Sequence, residues 1–204
     1  MIMSIALTHF EENIERIRLL HGVYAAVKHS TTPVLDVSDV LRAELVLVVS
    51  ALDCYVHEVV RGGMLDVFQG NRPETEKFKQ FDVSLNCVKQ AFLGPDDFSW
   101  LEQEVIRRHS FRSFQQTEKV AEAIRLVSDI ELWNEVAGRI GKSPDDIKRQ
   151  LNLIIDRRNK IAHEADMNPS YPGLRWPITE TDVDESIKFI GLVVKAMDDL
   201  LNVP

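Results

Sequence analysis

Apolar positions along this chain recur mostly at helical spacing. Phe10, Ile14, Ile17 and Tyr24 repeat at three, four and seven, and predict a first helix from about Thr8 to His29, closed by "STTP" at 30–33. Leu41, Leu45, Val48, Leu52, Val56 and Val59 give a wider stripe and a second helix over about 37–61, central because so much of it is apolar. "RGG" at 61–63 is where that helix is expected to break or stop. Residues 70–113 are less regular, with two prolines among short apolar runs. A stretch of about 64–114 therefore reads as an insertion of short helices and turns. A third long helix is expected from about Gln115 to Ile140, with Val120, Ile124, Val127, Ile130 (or Glu131) and Trp133 (or Asn134) along one side.

"SPDD" at 143–146 opens a fourth helix: Ser143 as N-cap, Pro144 at the first helical position, and Asp145 and Asp146 at the positive end of the dipole. It is expected to run to about Asp166. "NPSYPGLRWP" at 168–177 reads as a loop, and 179–201 as a last helix. Alternating strand patterns between tight turns are almost absent. The expectation is an all-α bundle of four to five long helices with a less regular helical insertion, built as one domain over 1–204.

Composition narrows the class. At 45% apolar residues the chain has enough material for a core without staples. Cys54 and Cys87 have no partner at metal spacing, so neither a disulfide framework nor a structural zinc site is expected, nor any other metal or cofactor. The opening "MIMSIALTHFEEN" has no basic leader region, and the longest uncharged apolar run, "LVLVVSAL" at 45–52, is too short to cross a bilayer. The chain thus reads as soluble and cytoplasmic. A net charge of −8 argues against a general nucleic-acid coat but leaves room for a local basic cleft. Arg139, Lys142, Lys148, Arg149, Arg157, Arg158 and Lys160 stand against only Asp145, Asp146 and Asp156 over 139–163.

One stretch breaks the pattern. The fourth helix has the stripe Ile147, Leu151, Ile154, then Arg158, then Ile161 and Ala165. A guanidinium in a core register is costly unless it is paired or faces a wet cleft. Its plainest role is an ion pair to the second helix, with Asp53 or Glu58 as candidates. In an ideal helix, at about 100° per residue, Arg158 and His163 point about 140° apart. They can meet one substrate if the helix is distorted there, or if two copies of it face each other across a dyad.

The motif "RNKIAH" at 158–163, with the flanks "IIDRRNKIAHEAD", "ALDCYVHEVV" and "LRWPIT…DVDESIKFI", resembles the R-x4-H motif of the HEPN superfamily and its RiboL-PSP branch. The resemblance runs from about Val37 to Leu201 and is weakest in the middle. It implies a helical bundle that dimerises so that two motifs line one cleft, and a metal-independent endoribonuclease, in many members a toxin or an anti-phage effector. Arg158 and His163 would be the catalytic pair and Asn159 the polar accessory, placed to orient His163. The partners implied are RNA, a second copy of the chain, and an antitoxin or regulatory protein. Some members keep the fold without activity, so a non-catalytic binding or regulatory module is the alternative.

The residue types suit the chemistry. RNA can be cut by its own 2′-hydroxyl, leaving a 2′,3′-cyclic phosphate and a 5′-hydroxyl. Histidine moves protons near neutral pH, and arginine's planar fork matches phosphoryl oxygens. Arg157 and Lys160 are candidates for RNA contact. Asp53, His57 and Arg61 share a stripe on the second helix, as an ion-pair ladder or as support behind Arg158 and His163. "IRRHSFR" at 106–112 reads as a phosphate holder or an exposed basic turn.

Overall fold

A computed structural model of the chain describes residues 4–32, 35–93 and 98–201. Among these residues there are nine helices and no strand. They are α1 (Ile5–Ser30), α2 (Ser38–Phe68), α3 (Glu76–Lys79), α4 (Leu85–Leu93), α5 (Ser99–His109), α6 (Thr117–Ile124), α7 (Leu132–Ile140), α8 (Pro144–Glu164) and α9 (Glu180–Leu201). The all-α expectation holds.

The second helix is central, as its apolar breadth predicts. α2 packs against α1, α5, α6, α8 and α9. Its Val48, Val56, Val60 and Met64 are fully removed from solvent, each worth roughly 1.5–3 kcal/mol of transfer free energy. On α1, Phe10, Ile14, Ile17 and Tyr24 are all buried, so the first stripe is the one read from the sequence. Asp198 of α9 accepts from Ser4 at the head of α1 and from the Tyr55 hydroxyl (3.3 Å) on α2. Burial beside that carboxylate pushes the Tyr55 phenol well above its ordinary pKa. Thr179 and Asp182 cap α9 reciprocally: each backbone amide donates to the other's side chain, at 2.8 and 3.2 Å.

α1 ends at Ser30, beside the expected His29, and Pro33 lies outside the described residues. Two other boundaries differ from those expected. α2 does not stop at "RGG" but runs on to Phe68. Gly63 is there for close approach: a Cβ on it would sit 2.8 Å from Val127 Cγ1, whereas one on Gly62 would meet nothing within 4 Å. Opposite outcomes are therefore expected at neighbouring positions. Gly63→Ala should destabilise by about 1–3 kcal/mol through overpacking. Gly62→Ala should stabilise by roughly 0.5–1 kcal/mol, since an exposed helix interior prefers alanine. Urea midpoints of the two variants check this.

The expected third helix over 115–140 is two helices, α6 and α7. The Arg125 carbonyl, which would continue the ladder, accepts instead from the Thr75 hydroxyl (2.7 Å), and tight turns close on Ala123 and Ile124. α7 then folds back so that the Trp133 indole donates to the Thr117 carbonyl at 2.9 Å. The irregular middle gives α3, α4 and α5, with its first residues taken by the end of α2. Its brace is Glu104, nearly buried, which accepts from the Ser84 amide and from Arg107 and Arg108. The Arg107 guanidinium above all holds that carboxyl down at about 2. Cys54 and Cys87 are free thiols. Among the described residues no helix is long and apolar enough to cross a membrane.

Candidate active site on α8

The start of α8 is built as its sequence dictates. Ser143 accepts from the Asp146 amide at 3.1 Å and Pro144 occupies the first turn. Ile147, Leu151, Ile154 and Ile155 are buried. The helix then continues without a break through Arg158 to Glu164. No distortion of the helix brings Arg158 and His163 together. Within one chain they leave α8 in divergent directions.

Arg158 is half-buried. Its Nη1 donates to Asn159 Oδ1 at 2.9 Å, while its Nε is shut away from solvent with no partner among the described residues. Neither Asp53 nor Glu58 pairs with it, which corrects the ion-pair reading. Asp53 accepts from the Phe114 amide (2.6 Å) and the Gln115 amide group (3.3 Å), and Glu58 meets His9 at 2.9 Å. Other cations of the basic run are engaged: Lys148 with Asp145, Arg149 with Asp146, Arg157 with Asp166. Arg158 and Lys160 have no carboxylate partner among the described residues. Asn159 engages Arg158, not His163 as expected. His163 is exposed, with no hydrogen bond or ion pair among the described residues.

Arg157, a candidate for RNA contact, is committed elsewhere. Its Nη2 donates to Asp166 Oδ2 (2.8 Å) and to the carbonyls of Trp176 (3.2 Å) and Pro177 (3.0 Å). Arg42 reaches the same carboxylate oxygen through Nε (2.8 Å) and the Trp176 carbonyl through Nη2 (2.8 Å). Burial lowers the Arg157 pKa from its ordinary value, and Asp166 offsets part of that. Asp166 itself is wholly buried in the left-handed region (φ 58°), directly after Ala165 (φ 50°). This clamp ties the end of α8 to the start of α2 and to the loop before α9. Lys160 lies over the Trp176 ring at 5.8 Å. Sequence reasoning misses Arg42 and Asp166. A signal is present in Arg42, a charge beside the apolar stripe of α2 much as Arg158 is on α8.

Asp53 and His57 share no hydrogen bond or ion pair with Arg158 or His163 among the described residues. His57 Nε2 donates to the Arg112 carbonyl at 3.2 Å, and Arg61 approaches Glu102 at 3.6 Å. This stripe braces residues 112–115 against α2.

The family model described as RiboL-PSP-HEPN matches residues 11–203, which takes in α2 to α9 and the whole of the R-x4-H motif. The chain is a member of the RiboL-PSP-HEPN family. No curated protein and no solved structure matches it. The all-α fold of the described residues is the class expected of a HEPN domain. Membership points to a nuclease or RNA-related function, to interaction with RNA, and to the dimerisation common among HEPN domains.

Proposed function

We propose that this HEPN chain is a metal-independent endoribonuclease that works as a homodimer, with Arg158 of one copy and His163 of the other meeting at each reacting phosphate. The observation that carries the reading is Arg158. It holds a core register, half-buried, and among the described residues it has no carboxylate partner and its buried Nε is unpaired. Such a group is costly unless an anion completes it. A phosphoryl group supplies that anion, and Asn159 fixes one edge of the guanidinium plane for it.

The 2′-hydroxyl attacks the adjacent phosphorus and the bond to the 5′-oxygen breaks. One proton must leave the attacking oxygen and one must reach the leaving oxygen. In each composite site the single His163 takes the proton of the attacking 2′-hydroxyl, and the leaving 5′-oxygen takes one from solvent. Arg158 bears the charge on the non-bridging oxygens. The products are a 2′,3′-cyclic phosphate and a 5′-hydroxyl, and DNA is inert. Membership of a superfamily in which many members are toxins or anti-phage effectors supports a growth-arresting role, restrained by an antitoxin or regulatory protein.

Two measurements test this. Purified protein incubated with labelled RNA in EDTA should give those ends; 5′-phosphate ends, or no cutting of any RNA, would favour the non-catalytic module. Expression should slow growth, and His163→Ala should relieve this. Because His163 is exposed, the variant should lose less than about 1 kcal/mol of stability. A folded variant as toxic as the parent would remove His163 from the site.

A further inference from the structure

The basic stretch 106–112 finds its use at a cavity of about 530 Å³ between α5, the segment before α6, and α6 itself. Pockets of this size hold small organic ligands. Four cations line it: Lys77, Arg108, Arg112 and Lys119. Two carboxylates also do, Asp82 and Glu122. Lys77 approaches Glu122 (3.8 Å) and Arg108 is held by Glu104 (3.2 Å). Arg112 and Lys119 have no ion pair among the described residues. In a chain of net charge −8 this is a local reversal of sign.

Beside these cations stands Phe111, 96% exposed. It is not on a slack loop. The Arg112 amide donates to the His109 carbonyl (2.8 Å), His57 holds the Arg112 carbonyl, and Asp53 holds the Phe114 amide and Gln115. An aromatic ring is thus presented to solvent on a braced turn, a large apolar exposure with no packing return. His109 also lines the cavity. It is 4% exposed, packed edge-on against Phe81 and Phe114, and its Nδ1 has no partner. Burial pushes its pKa down to about 4, so the ring is neutral near pH 7, and Nδ1, shut away from solvent, has no partner among the described residues.

An exposed ring beside unpaired cations is the combination that holds single-stranded nucleic acid: stacking takes any base, and the cations take the backbone. We propose that this cavity is a second RNA subsite, built without any residue of α8, in which a base stacks on Phe111 and flanking phosphates lie on Arg112 and Lys119. It rests on the reading that the chain acts on RNA, and gives the insertion a role in choosing which single strand is presented to the cleft.

The test is fluorescence anisotropy with a short labelled oligouridine, using the full chain carrying His163→Ala so that bound RNA survives. Adding Phe111→Ala should weaken binding roughly tenfold, and Phe111→Trp should keep it. Arg112→Ala with Lys119→Ala should weaken binding and flatten the dependence of log affinity on log salt by about 1.4, at about 0.7 per phosphate on a single strand. All three side chains are exposed, so melting should not change. Affinity and salt slope unmoved by both sets of changes, or no binding of RNA, would overturn the subsite. Failure of the nuclease reading alone looks different: the parent does not cut, yet binding still depends on Phe111, Arg112 and Lys119.

Discussion

Arg158→Lys protein is expected to fold as the parent does and to cleave RNA two to three orders of magnitude more slowly. The magnitude is that of removing a preorganised donor aimed at transition-state charge, about 3–4 kcal/mol. Lysine keeps the positive charge but not the planar fork, so it cannot hold Asn159 Oδ1 at one edge and two phosphoryl oxygens at the other. If the role of Arg158 were only to place a charge in the cleft, lysine would serve almost as well. Stability should barely fall, because among the described residues Arg158 has no carboxylate to abandon and its Nε is already unpaired. Single-turnover cleavage beside a thermal melt decides it. Near-normal cleavage by folded Arg158→Lys protein would make the residue structural.

Asp166→Ala is expected to cost about 3–5 kcal/mol, the usual result of removing one partner of a buried charge cluster. At this chain length that is a fall in Tm of roughly 10 °C. Arg42 and Arg157 both direct a donor at Asp166 Oδ2. Without it, two guanidiniums face each other, left with the Trp176 and Pro177 carbonyls and, for Arg42, Ser38 Oγ (2.6 Å) and Asp39 (3.5 Å). The left-handed backbone adds to the loss, since alanine tolerates φ 58° less well than aspartate. Asp166→Asn keeps the shape and the backbone tolerance and should lose less. The clamp closes the end of α8 directly after His163, so cleavage by Asp166→Ala should fall below what its folded fraction explains. A melt within about 2 °C of the parent would mean that the end of α8 is held by something else.

Local rules make α8 legible from the sequence alone. Ser143, Pro144 and Asp146 announce its start, and Ile147, Leu151 and Ile154 of the expected stripe are buried, with Ile155 beside them, while Ala165 is exposed past the helix end. The stripe of α1 and the central place of α2 are equally plain. What escapes depends on partners distant in sequence. "RGG" has the form of a helix breaker, and only the approach of Val127 reveals that Gly63 makes room. The pattern over 115–140 continues in helical phase through Val127, and only Thr75 and Thr117 show why the chain turns between α6 and α7.

The candidate site divides the same way. Arg158 stands out as a charge in a core register. That it has no carboxylate partner among the described residues is not legible, because Asp53 and Glu58 are equally well spaced on α2 and are occupied by Phe114, Gln115 and His9. Arg157 differs from Arg158 by one position, yet one is held in a buried clamp and the other has Asn159 as its partner among the described residues. Periodicity resolves such neighbours only when the facing element is known.

Action of the two halves of the motif across two copies of the chain is tested most directly by mixing Arg158→Ala with His163→Ala protein. Each alone should be nearly inactive. Co-refolded in equal amounts, half the dimers carry one copy of each, and one of their two sites then pairs an intact Arg158 with an intact His163, so about a quarter of the parent activity should return. If heterodimers form, as tags of different size would reveal, and no activity returns, then Arg158 and His163 do not act across the dyad and the composite site is wrong.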